Sequence, residues 1–259
     1  MTQFKAVVFD WAGTMIDFGS FAPMGAFVET FGKLGVEVTI ADARKPMGLP
    51  KRAHIAAMLA EPHIAARWQA AQGPLPDEAA IDRVYELFVP LNEAVVTDYC
   101  ALVPGAIKTI EYLRERQMKI GSTTGYTRSI MERVLPLAAE QGYAPDNLIC
   151  ADDLPLGRPT PIGMYKCFLD LMVYPASAVL KVDDTEPGIA EGAAAGCVTV
   201  GVTLSGNEAG LTPAELDALS PEARAALHKR IGEKLIAAGA DYVIETAADL
   251  PALIEELEG

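Results

Sequence analysis

The sequence predicts an α/β protein, a doubly wound parallel sheet of Rossmann-like type with an inserted helical cap domain. Three observations predict it. Short β-rich runs, largely apolar rather than alternating, recur at Ala6–Phe9, Lys119–Ser122, 148–150, 178–182, Val198–Val202 and Tyr242–Ile244, as strands buried on both faces require. Helical stretches at 109–117, 129–140 and 189–196 lie between them, which calls for right-handed crossovers and a parallel sheet. Between residues 18 and 98 the strand pattern stops. Apolar residues there recur at helical spacing: Phe27, Phe31 and Leu34, then Ile55, Met58 and Leu59, then Ile81, Val84, Tyr85, Leu87 and Phe88.

In chain order, the first strand leads into a helical insert over 19–99, a cap hinged near Gly19-Ser20 and at 99–104, and the core is residues 1–18 with 100–259. The small residues of 189–196 let that helix pack closely on the sheet. The stretch 205–240 is a second interruption, in which Thr212 is the N-cap and Pro213 the first residue of a helix. A chain of 259 residues, 51% hydrophobic, suits such a two-part molecule.

A net charge of −14 with no basic tract excludes nucleic acid as a partner. An acidic protein that binds an anion must supply positive charge locally, from a metal ion, helix N-termini or a few Lys and Arg. Cys100, Cys150, Cys167 and Cys197 form no CxxC pair, the pattern of reduced, buried thiols in a cytoplasmic protein. Met1-Thr2-Gln3-Phe4-Lys5 runs straight into the first strand with no signal peptide, and no apolar run reaches membrane-spanning length, so no membrane role is expected.

Four motifs fall at strand ends. Asp10-Trp11-Ala12-Gly13-Thr14 follows the first strand. A carboxylate there, before a glycine turn, can be a nucleophile, and read alone it is as ordinary as a structural cap. Ser122-Thr123-Thr124-Gly125-Tyr126 offers hydroxyl and amide donors to an anion, or is a plain strand–helix turn. Gly157-Arg158-Pro159 carries a cation in a Gly/Pro loop. Val182-Asp183-Asp184-Thr185 places adjacent carboxylates at a strand end, suited to a hard cation such as Mg²⁺. Lys51, in Met47-Gly48-Leu49-Pro50-Lys51-Arg52-Ala53-His54, taken by itself is a solvated lysine in a short basic run.

Together these motifs resemble the haloacid-dehalogenase-like phosphotransferases. The resemblance implies Asp10 as the nucleophile, Thr124, Gly125 and Arg158 as phosphate-binding groups, and Mg²⁺ held by Asp10, the Ala12 carbonyl and Asp184, with Asp183 in support. That family commonly has a second Asp where Ala12 stands, which protonates a leaving alcohol, and another acid at the position of Gly188, where this chain has only Glu186 nearby. Met47-Gly48, Lys51, His54 and Phe18-Gly19-Ser20-Phe21-Ala22-Pro23 narrow the likeness to the phosphonoacetaldehyde hydrolases, over essentially the whole chain. That branch implies a small phosphonate substrate, Lys51 as Schiff-base former, and Met47, His54 and Tyr126 around the imine. It also implies a homodimer through the cap.

The residues agree with the branch. An alkoxide leaving from an ester needs a proton, which Ala12 cannot give. A carbanion leaving beside an aldehyde needs an electron sink, which an imine on Lys51 provides. Lys51 must be neutral to attack, so a lowered pKa is expected, from burial under Met47, Leu49 and Pro50 and from the neighbours Arg52 and His54. Two other readings stay open: an ester phosphatase or phosphomutase, and a phosphate-ligand sensor without catalysis.

Overall fold

A computed structural model describes residues 4–259. Five strands, β1 (Ala6–Phe9), β2 (Lys119–Ser122), β3 (Val179–Asp183), β4 (Val198–Val202) and β5 (Tyr242–Ile244), form one sheet in the order β2-β1-β3-β4-β5. Every pairing is parallel. From β1 the chain steps to one side for β2 and then crosses to the other for β3. The strand order therefore reverses around β1, and a crevice opens at the C-terminal ends of β1, β2 and β3. Phe9 is in register with Ser122 on one side and Val182 on the other. The residues that follow, Asp10, Thr123 and Asp183, emerge side by side.

Helices α1 (Ala22–Lys33), α2 (Ile40–Arg44), α3 (Lys51–Ala60), α4 (Pro62–Gln72) and α5 (Glu78–Val95) come next after β1 and form a separate helical layer. Their apolar stripes meet in a cluster of their own, with Phe27, Phe31, Ile55, Met58, Trp68, Val84 and Phe88 at its centre. In α5 the Asp77 side chain accepts from the Ala80 amide at 2.9 Å, capping the helix. Ile81, Val84 and Phe88 face inward, whereas Leu87 lies off that stripe and is exposed.

The sheet is covered by α6 (Ala106–Glu115), α7 (Arg128–Glu140), α8 (Ile162–Leu171), α9 (Glu186–Ala195), α10 (Pro213–Asp217), α11 (Pro221–Ala237) and α12 (Leu250–Glu258). A core cluster that includes Phe9, Trp11, Ile16, Tyr143 and Val200 packs on the sheet, and a second, with Val8, Met164 and Val179, packs elsewhere on it. The Thr212–Glu215 capping box starts α10 where the sequence expects it. One expected strand is absent: 148–150 makes only a single bridge, Thr123 to Ile149. All four cysteines are free and buried. Among the described residues no helix is long and apolar enough to cross a membrane.

Candidate active site

Asp10 leaves β1 with its amide bonded to the Val182 carbonyl at 3.0 Å, so its side chain is fixed beside Asp183 and Asp184. One carboxylate oxygen from each of the three lies within 4.8 Å of the others, and all three residues are buried. Arg158 crosses this group. Its Nη1 is 2.9 Å from Asp10, its Nε 3.1 Å from Glu191, and its Nη2 3.3 Å from Asp183. Nη2 also donates to the Thr123 carbonyl at 2.7 Å. Lys181, fully buried in β3, is 2.9 Å from Asp183 and donates to Thr123 Oγ1 at 2.8 Å. Lys181 and Glu191 are the members that sequence reasoning missed.

Burial and the Asp183 charge push Asp10 up to about 6, against the pull of Arg158 and Lys181. Burial opposes ionisation of Asp183 too, but Arg158 and Lys181 outweigh it and hold that carboxyl below its ordinary value. Asp184 is raised well above the carboxylate range by burial and by Asp10 and Asp183. Its bonds are neutral ones, from Thr14 Oγ1 at 3.0 Å and the Asn207 amide at 2.7 Å. Two cations, Arg158 and Lys181, thus face four buried carboxylates, Asp10, Asp183, Asp184 and Glu191. Among the described residues Asp184 forms no ion pair, and a buried carboxylate beside Asp10 and Asp183 without one fits a divalent metal ion.

The Asp183 carboxylate fills the space that a side chain on residue 188 would need. A Cβ on Gly188 would lie 2.0 Å from Asp183 Oδ2. Glu186 does not stand in for it, since it turns to Lys234 at 3.6 Å. Gly188→Ala is therefore expected to dislodge Asp183, lowering stability by about 1–3 kcal/mol and turnover with it. Urea unfolding and a rate assay check this, and unchanged stability would contradict it.

A narrow pocket of about 20 Å³ opens beside the carboxylates, walled by Asp10, Ala12, Met47, Lys51, Thr124, Gly125, Tyr126 and Arg158 among others. Eight of the residues named from the sequence thus meet at one pocket. Lys51 begins α3 and is 3% exposed. Its Nζ is 3.8 Å from Met47 Sδ and 5.1 Å from the Tyr126 ring centroid. Burial lowers its pKa from 10.5 to about 8; Asp10 opposes the shift and Arg158 adds to it. Its place at a helix N-terminus works in the same direction. Arg52 has no part in this, because it points outward to Glu78 and Asp82 at 2.7 and 2.8 Å.

His54 is not in the pocket wall. It is fully buried, stacked on Phe27 at 4.2 Å, with Nε2 donating to the Ala43 carbonyl at 2.8 Å. Among the described residues Nδ1 has no hydrogen-bond partner. Burial and the Lys51 charge hold this imidazole well below its ordinary pKa, hence neutral. The Tyr126 hydroxyl is likewise buried without a partner, and burial keeps it protonated. Thr124 Oγ1 accepts from the Tyr126 amide at 3.1 Å, and Gly125 lines the pocket next to it.

Residues 4–196 match the haloacid dehalogenase-like hydrolase family. The chain is 49% identical over 258 residues to a phosphonoacetaldehyde hydrolase of Paraburkholderia phytofirmans, covering 100% of this chain and 97% of that one. It is 48% identical, with the same coverage, to one of Paraburkholderia xenovorans. The crystal structure of a phosphonoacetaldehyde hydrolase-like protein from Oleispira antarctica superposes with a TM-score of 0.96 at 42% identity, over 98% of this chain and 92% of that one. The chain is an enzyme, and it belongs to the phosphonoacetaldehyde hydrolases within the haloacid dehalogenase-like hydrolases.

Proposed function

We propose that the enzyme hydrolyses the carbon–phosphorus bond of phosphonoacetaldehyde, giving acetaldehyde and phosphate. One observation carries the reading: a buried amine of lowered pKa, Lys51, shares a pocket with the carboxylate Asp10, and the residue two after Asp10 is Ala12. The relatives' names point to the same substrate.

Neutral Lys51 attacks the aldehyde carbon, and the carbinolamine, with one proton taken up from solvent, loses water to leave a protonated imine. Asp10 then attacks phosphorus. The carbon–phosphorus electron pair moves toward the iminium nitrogen, leaving an enamine on Lys51 and the phosphoryl group on Asp10. The enamine takes a proton at carbon, and water hydrolyses the resulting imine to acetaldehyde and free Lys51. A second water releases phosphate from Asp10. Arg158 orients Asp10, and Thr124 and Gly125 face the phosphoryl oxygens. The unpartnered Nδ1 of His54 and the Tyr126 hydroxyl are the local groups available to pass protons around the imine. Asp10, the Ala12 carbonyl and Asp184 would hold Mg²⁺, with Asp183 steadying them through Arg158. When bound, the ion supplies positive charge to the phosphoryl oxygens.

A pocket of about 20 Å³ holds about one water. Residues 19–99 therefore act as a cap on the core 1–18 and 100–259, opening for substrate and closing Lys51 over Asp10. A homodimer through this cap belongs to the same reading; Ile40, Leu75, Leu87 and Tyr99 are its exposed large apolar side chains.

The test is release of acetaldehyde and phosphate from phosphonoacetaldehyde by the wild-type enzyme. Mg²⁺ should support release and EDTA should abolish it, with recovery on adding Mg²⁺ back. No release, alongside hydrolysis of a phosphate ester, would give the site to ester chemistry instead. The rate of imine formation should rise with pH and level off near 8, where Lys51 loses its proton. Below that the neutral amine, and so the rate, should fall about tenfold per pH unit. A flat profile from pH 6 to 8 would contradict the role given to Lys51.

A further inference from the structure

Arg44 has no part in the chemistry above, yet its guanidinium is more than half buried and makes four polar contacts. Nη1 donates to the Gly19 carbonyl at 2.8 Å, the Ser20 carbonyl at 3.4 Å, the Asn207 carbonyl at 3.0 Å and Asn207 Oδ1 at 3.1 Å. Asn207 returns the contact, its Nδ2 donating to the Arg44 carbonyl at 3.1 Å. The backbone amide of the same Asn207 donates to Asp184 Oδ2 at 2.7 Å. Gly210, at φ +58°, leaves room for this: a Cβ there would sit 2.9 Å from Arg44 Cζ. The Arg44 guanidinium also lies 5.1 Å over the Phe21 ring.

Arg44 ends α2, seven residues before Lys51 in the same helical layer. Asn207 belongs to the core. Among the described residues, the hydrogen bonds that join 40–95 to the core are this reciprocal set and the exposed Arg133–Glu93 pair at 3.3 Å. Lys51 over the Tyr126 ring, at 5.1 Å, is a further contact between the layers, with looser geometry than these hydrogen bonds. Lys51 sits within reach of Asp10 only while the layers hold one register, and a displacement of about 1 Å is enough to reduce a rate by about 100-fold.

We propose that Arg44 and Asn207 form a clasp that docks the helical layer on the core, with Lys51 over Asp10 and the docking tied to the Asp184 carboxylate. They are positioning residues, and the inference rests on the function proposed above. The clasp opens when substrate arrives and re-forms before phosphoryl transfer, so it acts on steps after binding.

The experiment compares wild type, Arg44→Ala, Arg44→Lys, Asn207→Ala and the Arg44→Ala/Asn207→Ala double variant. It reads kcat, KM, the rate of borohydride trapping of Lys51 with phosphonoacetaldehyde, and thermal unfolding. Each alanine variant should remain folded and lose about 10- to 100-fold in kcat and in trapping rate. The double variant should be no worse than the more damaged single one, since both remove the same interaction. Arg44→Lys should recover part of the loss, as it keeps a charged donor but on a head of different reach and shape. Wild-type rates in folded Arg44→Ala, or additive losses in the double variant, would overturn the clasp alone. If Arg44→Ala does not fold, Asn207→Ala and Arg44→Lys carry the same comparison. A wild-type enzyme inert toward phosphonoacetaldehyde would instead remove the function beneath it.

Discussion

Lys51→Arg is expected to abolish acetaldehyde release, by roughly 10⁴-fold or more, while leaving a folded protein. Arginine keeps a cation in the pocket but cannot condense with an aldehyde. Without the imine the departing carbon would have to carry its charge alone, and Ala12 has no proton to offer. Activity within tenfold of wild type would remove Lys51 from the chemistry. A companion variant reads the same residue as a stability term. Burial lowers Lys51 from 10.5 to about 8, a difference worth about 3 kcal/mol. The unfolded chain binds the proton more tightly, so this penalty is present in full below pH 8. It fades as pH rises toward 10.5. Lys51→Met should therefore unfold at a higher temperature than wild type at pH 7, with the gain shrinking at pH 10, while its activity is lost. Such opposition between stability and activity is expected of a functional group buried at some cost.

The second large effect is at Arg158. Its guanidinium holds Asp10, Asp183 and Glu191 in a buried cluster, and the three carboxylates keep it protonated against the opposing effect of burial. Arg158→Met strands those carboxylates. Removing one partner of a buried ion pair costs about 3–5 kcal/mol, a large share of the roughly 5–15 kcal/mol that holds a domain folded. Urea unfolding should show that loss, and turnover should fall by about 10³-fold in whatever protein folds. Arg158→Lys keeps one charge without the fork and should recover more of the stability than of the rate. A stable, active Arg158→Met would show that the cluster is held by something else.

The sheet was legible because its strands are apolar runs that begin and end abruptly: β1, β2, β4 and β5 lie where the sequence places them. The segment 148–150 has the same composition, but it extends the sheet by one bridge beside Thr123 and no further. Propensity cannot tell a ladder from a single rung. The pocket residues were legible because each follows a strand or sits in a motif with Gly or Pro beside it. The supporting charges were not. Lys181 and Asp183 share one face of β3, being two residues apart, and a lysine inside a strand buried on both faces needs a partner; that signal was present. Glu191 gave less, a lone acid in a helix of small residues. The Arg44–Asn207 contact joins positions 163 apart, and nothing local to either residue announces it. Arg52 misled because adjacency in a helix places side chains about 100° apart, so a neighbour in sequence faces away.

The central claim is that Lys51 bonds covalently to the substrate during turnover. Wild-type enzyme with Mg²⁺ and phosphonoacetaldehyde, treated with borohydride and digested, should yield one modified peptide, with an ethyl or phosphonoethyl group on the Lys51 nitrogen. Activity should be lost in step with that modification. Continued turnover with no adduct, or an adduct on another lysine, would contradict the account.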